Sequence, residues 1–231
     1  DVTVIGREDL VFGRVDLEES ISKSKYRGLY IRLDKRYSQR HQFLVSYSLV
    51  KSEDNAPAGR FTDQSDFSRD FGPANAERRH ALVASGAVQL PFEIQLGAIW
   101  MLRTSLPFSA TAGRDVNGDG FVSDYVPGTT RNQGHRDLDL AKVNAWRASF
   151  GLPPVSPDDL DSARFSSVDL RASKALSLGQ SRKLELVAQL FNVFNTVNLS
   201  GLQTNALATT FGRASRAGAG RQAELAVRLV W

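Results

Sequence analysis

The chain has 231 residues, 42% hydrophobic and 23% charged, with 18 glycines and a formal net charge of +4. No run approaches the roughly 18 apolar residues of a membrane-spanning helix, but this leaves membrane strands open, because only alternate side chains of a barrel strand meet lipid. Cysteine is absent, which removes disulfide frameworks and thiolate metal sites, and the basic residues are interleaved with acidic ones, so no nucleic-acid partner is expected.

Residues 1–5 and 11–19 read as strands, the second with imperfect alternation, and a short connection follows at 20–24. In 26–37, Leu29, Ile31 and Leu33 share one face and Tyr30, Arg32, Asp34 and Arg36 the other. This period of two marks a strand. A short connection at 38–40 leads to 41–51, where Phe43, Val45, Tyr47 and Leu49 alternate with polar residues. A long loop at 52–77, rich in Asp, Asn, Gly and Pro, precedes a strand at 79–90. Pro91 lies in a tight turn, and 92–103 alternates again through Ile94, Leu96, Ala98, Trp100 and Leu102.

A very long loop, 106–163, follows. Within it 139–150 is expected to turn helical, and the three prolines of 152–159 are expected to end that helix. Strands at 166–175 and 183–192 flank a short turn at 177–182. The segment 196–220 is a long connection rich in Gly and Ala, and its glycine-rich stretch 212–220 reads as a flexible loop without a phosphate-binding pattern. In the last segment Ala223, Leu225, Val227, Leu229 and Trp231 alternate with Gln222, Glu224 and Arg228.

Strands of about ten residues exceed the roughly five or six usual in soluble proteins and suit a tilted membrane strand. Connections alternate short and long, as between periplasmic turns and extracellular loops; only the 20–24 link breaks the alternation. Together these define an all-β chain, an antiparallel transmembrane β-barrel with long external loops. Residues 1–231 are read as one domain, the C-terminal eight or nine strands of a larger barrel. Counting back from the end puts the C-terminus on the short-turn, periplasmic side. Met101 is the sole methionine and no leader precedes Asp1, so the chain reads as a piece with its targeting signal upstream.

Several stretches resemble the C-terminal barrel of TonB-dependent outer-membrane receptors, in particular the Oar-like group. They are Ser24-Lys25-Tyr26-Arg27-Gly28-Leu29-Tyr30-Ile31-Arg32-Leu33-Asp34-Lys35-Arg36-Tyr37-Ser38, then 45–54, then the strand with Ser85-Gly86 leading to Leu90-Pro91-Phe92. Pro107-Phe108 followed by 115–120 continues the likeness. Phe191-Asn192-Val193-Phe194-Asn195 resembles the family's Phe-Asn-Leu-Phe-Asn signature near the last hairpin. The resemblance implies a barrel of about 22 strands around a plug, contact with TonB through an N-terminal part, and uptake of a small-molecule or peptide ligand that the sequence does not name.

The last strand is similar to the signal read by the barrel-assembly machinery in outer-membrane proteins, where alternate side chains give specificity to strand addition. Trp231 suits an interfacial aromatic girdle. Outer-membrane lipid is the expected surrounding. Asp115, Asn117 and Asp119 occupy positions one, three and five of a calcium-loop pattern, with Gly120 at six. The Phe121 carbonyl would serve position seven and Asp124 position ten. Val126 stands at twelve, where a bidentate Glu is usual, so any calcium would bind weakly and stiffen an external loop. The bland alternative is a polar Asx-Gly turn.

His41, His80 and His135 lack ligand spacing, and no Gly-x-Ser-x-Gly nucleophile motif occurs, so no enzyme is expected. A watery lumen would be lined by Tyr30, Arg32, Asp34, Arg36, Glu93, Gln95, Glu185, Gln189, Glu224 and Arg228. Two other architectures compete: a small complete barrel acting as a pore or adhesin, and a soluble extracellular β-sandwich that binds a partner.

Overall fold

The computed structural model describes residues 20–56, 61–63, 66–179 and 182–230. The expected strands at 1–5 and 11–19, and Trp231, lie outside them. Ten strands form: β1 (Ser24–Ser38), β2 (His41–Asp54), β3 (Gly72–Pro73), β4 (His80–Leu90), β5 (Ile94–Arg103), β6 (Phe165–Ser177), β7 (Lys183–Phe191), β8 (Leu199–Leu202), β9 (Ala214–Ala217) and β10 (Gln222–Val230). Seven of them, 9 to 15 residues long, pair antiparallel in the order β1-β2-β4-β5-β6-β7-β10, and the two-residue β3 adds beside β2.

The second sheet is only the β8–β9 hairpin. Among the described residues no large sheet faces the first, which overturns the β-sandwich alternative.

Register puts the apolar set of every long strand on one face. One row across the sheet reads Leu33, Val45, Ala84, Trp100, Val168, and another reads Leu96, Ala172, Ala188, Leu225. On the opposite face Arg32 stands beside Ser46, Gln189 beside Glu224, and Glu185 directly opposite Arg228. Arg171 reaches Glu185 at 3.4 Å on that face. A one-residue slip would exchange the two faces, so this pattern fixes register strongly.

Two expected lumen residues depart from the pattern. Arg36 falls inside a register shift between Lys35 and Ser38. Glu93 sits in the β4–β5 turn with φ +55°, ahead of the first β5 residue. Neither is held on the face by strand pairing, because alternation ends where the ladder does.

The short connections share one end of the sheet. The β1–β2 link is Gln39-Arg40, both at positive φ (51° and 67°), the backbone that a two-residue hairpin with right-handed strand twist requires. Pro91-Phe92-Glu93 joins β4 to β5, and Leu178 N–H donates to Arg182 C=O at 2.8 Å in the β6–β7 turn. The long connections β2–β4, β5–β6 and β7–β10 share the other end. Residues 20–23 lie on this side too, with Asn55 N–H donating to Lys23 C=O at 3.1 Å.

The expected helix forms as α1 (Leu140–Ala148), capped by the Asp139 carboxylate, which accepts from Ala141 N–H at 3.0 Å. Its stop is Gly151 rather than the prolines. Gly151 has φ +69° and donates to Ala148 C=O, and Leu152 donates to Arg147 C=O, the paired closure of a Schellman motif. The expectation of a flexible 212–220 is corrected as well. That stretch carries β9, paired with β8, and follows directly on buried Phe211. Gly212, at φ +79°, is packed so closely that a Cβ there would lie 2.2 Å from the Leu160 side chain.

Candidate functional site

The three long loops pack into a cap at one end of the sheet. Its apolar centre is Phe108, Ala110, Val126, Val143, Val155, Ala206 and Phe211, flanked by Leu138, Trp146 and Leu160. These come from the β5–β6 loop, including α1, and from the β7–β10 loop. Phe108 meets Phe211 edge-on, with ring centroids 6.2 Å apart. Trp146 donates its indole N–H to Ala112 C=O at 3.0 Å, tying α1 to the loop base.

Buried charges join the third loop to this centre. Arg131, 2% exposed, pairs with the Asp54 carboxylate and donates to Asp54 C=O at 2.8 Å and Asp70 C=O at 3.4 Å. Asp70 is fully buried and accepts from Thr62 N–H (2.8 Å), Thr62 O–H (2.6 Å) and Tyr125 O–H. Burial, and then the hydrogen bond to Asp70, push the Tyr125 phenol far above its ordinary value. Asn132 donates to Pro73 C=O and to the Asn75 side chain, both at 2.7 Å.

Glu77 is buried between Arg79 (3.3 Å) and Arg136 (3.5 Å). The Arg136 Nε and Glu77 Oε2 atoms are close enough for an ion pair but are not aligned for a hydrogen bond. Arg147, on α1, is satisfied by the carbonyls of Pro153, Ala206 and Ala208, and among the described residues it pairs with no carboxylate. A buried charge is costly unless paired and hydrogen-bonded, so these networks oblige the loops to hold one arrangement.

The calcium-pattern residues lie on the cap. Carboxylate oxygens of Asp115, Asp119 and Asp124 come within 4.8 Å of one another, a donor set that suits a hard cation. Asp115 accepts from Gly118 and Gly120 N–H at 2.7 Å, Asn117 from Asp119 N–H at 3.0 Å, and Asp119 from Phe121 N–H at 2.8 Å. Buried Asp124 accepts from Val116 N–H at 2.7 Å. Burial raises the Asp124 pKa, the Val116 and Asn117 amides oppose that rise, and the neighbouring Asp119 and Asp115 add to it. Val126, the position-twelve residue, is a fully buried member of the core. Asn117 instead donates to Thr62 C=O at 2.8 Å and binds this loop to the first one.

The assembly-strand residues Ala223, Leu225, Val227 and Leu229 share the apolar face of β10, and Leu225 is 87% exposed. His80 bonds Tyr47 O–H at 2.7 Å, while His135 lies between the carbonyls of Leu106 and Asp161, both at 3.0 Å.

The Phe-Asn-Val-Phe-Asn segment has a physical role. Asn192 and Asn195 both take positive φ (48° and 51°), where asparagine is favoured among side-chain-bearing residues. Asn192 accepts from Thr196 N–H at 2.9 Å and donates to Ala219 C=O at 3.2 Å, and Asn195 accepts from Arg221 N–H at 2.9 Å. The two asparagines thus stitch the exit of β7 to the start of β10.

Sequence reasoning did not find Asp70, Glu77, Arg131, Arg136 or Arg147. In polar loops a single charge looks solvated. The available signal was the apolar content of the same loops, above all Phe108, Val126 and Phe211, which announces a core.

A single antiparallel sheet of long strands, apolar on one face, with turns at one end and loops at the other, is the wall of a transmembrane β-barrel. A family model for the outer membrane beta barrel domain matches residues 6–224. The chain belongs to that family, and its place is the outer membrane. No curated protein matches it.

Proposed function

We propose that the chain forms the C-terminal wall and external cap of a TonB-dependent receptor of the Oar-like group, which takes up a small-molecule or peptide ligand. The observation that supports this reading is the cap. Three long loops are locked at one end of the wall by a shared apolar core and by the Arg131–Asp54 and Glu77–Arg136 pairs. A preformed surface of this kind binds a ligand without first losing the entropy of mobile loops. The likeness around Phe191-Asn192-Val193-Phe194-Asn195 supports the narrower assignment.

In this reading the cap is extracellular, the short turns and the C-terminus are periplasmic, and the barrel-assembly machinery recognises β10. An N-terminal part contacts TonB. The chain binds and passes its ligand without transforming it.

The test uses the intact protein, taken from its outer membrane. It should bind the periplasmic domain of TonB and stay closed in planar bilayers. Steady ion conductance with no TonB binding would favour the pore.

A further inference from the structure

We propose that the loop-side edge of the apolar face binds one anionic phosphorylated lipid, its acyl chain along Leu82 and Leu102 and its phosphate at Arg164. A groove of about 580 Å³ lies there, lined by Tyr47, His80, Leu82, Leu102, Arg164 and Thr196 among others. A second hollow of about 350 Å³ shares His80, Thr104 and Arg164 and adds His135 and Arg136. An apolar channel therefore runs into a cation-lined one.

Position and charge together select the occupant. Leu82 and Leu102 are register partners, and the next outward-facing residues toward the loops are His80, Thr104 and Arg164. From Ile94 to Leu102 the apolar face spans eight residue steps, about 26 Å along the strand at roughly 3.3 Å each. The groove thus sits where acyl chains give way to headgroups.

Positive charge is in surplus at this junction. Glu77 is already taken by Arg79 and Arg136. Arg103 lies over the Phe165 ring at 5.6 Å, and Arg78 donates to Thr104 C=O at 2.8 Å. Among the described residues, neither of these nor exposed Arg164 forms an ion pair. Burial first, and the Arg103 charge second, lower the Arg78 pKa. Tyr47 O–H lies 2.7 Å from His80 Nδ1, and in the tautomer where Nδ1 accepts that bond Nε2 is a donor for an anion. A phosphate supplies the missing negative charge and acceptor oxygens, and its acyl chain covers the apolar wall. The inference rests on the outer-membrane wall and not on ligand uptake.

The experiment is native mass spectrometry of the intact protein released from nanodiscs of mixed phosphatidylglycerol and phosphatidylcholine. The protein should retain phosphatidylglycerol over phosphatidylcholine by about tenfold, the ratio set by roughly 1.4 kcal/mol. Arg164→Gln should abolish the preference. Arg164→Lys, which keeps the charge, and Arg216→Gln, on exposed β9, should preserve it. Equal retention of the two lipids, or an unchanged preference in Arg164→Gln, would overturn the proposal. Loss of the preference in Arg164→Lys as well as in Arg164→Gln would overturn its electrostatic basis. Displacement of the lipid by millimolar inorganic phosphate would reduce the site to a simple ion site and overturn the lipid assignment.

Discussion

The wall and the cap obey different rules of burial. Of the buried apolar residues among those described, only Val187 lies in a long strand, and all the others lie in the loops. The wall leaves Leu29, Ile31, Leu33, Leu225 and Val227 more than half exposed, because its solvent on that side is lipid. The cap has a small core and buried ion pairs of the kind that water-soluble domains use. The wall is therefore held by its ladder and by the bilayer, and the cap by its own packing, so each should fail separately when its own support is removed.

The largest effect is expected at Arg131. Arg131→Ala leaves the Asp54 carboxylate without its buried partner, and breaking such a pair costs about 3–5 kcal/mol. The cap should become sensitive to protease while the wall keeps its heat-dependent gel migration. A matching loss in the wall would show that the two regions are one cooperative unit.

Leu225→Arg probes the wall. A charge on the lipid face near mid-membrane costs about 2–4 kcal/mol, whereas Glu224→Arg, on the other face, should cost less. Urea titrations in bilayers read both values, and equal costs would contradict the assigned faces.

Gly212→Ala tests how tightly the cap is fitted. The added methyl meets Leu160 at a backbone of φ +79°, and overpacking of this kind costs about 1–3 kcal/mol. Faster hydrogen exchange around 199–217 with unchanged wall amides is the expected readout.

The smallest effect concerns pH. Because the folded-state pKa of Asp124 is raised, the folded cap holds this proton more tightly than the unfolded chain does. Stability should rise as pH falls from neutral through that raised pKa, and the gain should be complete below the ordinary carboxylate value. Asp124→Asn should flatten this dependence in a thermal melt across pH. Added calcium sharpens the result. A rise in melting temperature confined to the parent protein would put a cation among Asp115, Asp119 and Asp124, whereas no rise would leave the backbone amides as their partners.

The difference between the regions also explains what was legible in the sequence. The wall was readable because its two faces meet different surroundings, and alternation in segments such as 92–103 or 223–229 records that directly. The ends of strands were less so: Glu93 continues the alternation on paper but sits in the turn. The cap has no such period. Its contacts, such as Arg131 to Asp54 across 77 residues, join loops that are far apart in sequence and meet only at one end of the wall. The helical stretch from 139 and the polar 115–124 pattern were visible because helical turns and Asx turns are local. The role of Gly151 as the helix stop was hidden by the prolines beyond it. Pairing of β9 with β8 orders 212–220, where glycine content suggested otherwise.

Cysteine labelling in intact cells tests the central claim, a membrane-spanning wall with its cap outside and its turns inside. The chain has no native cysteine. Val122→Cys places a thiol on the exposed surface of the cap and Phe92→Cys places one in the exposed β4–β5 turn. A membrane-impermeant maleimide should label the first in intact cells and the second only after the outer membrane is opened. Labelling of Phe92→Cys in intact cells with Val122→Cys protected would contradict the account.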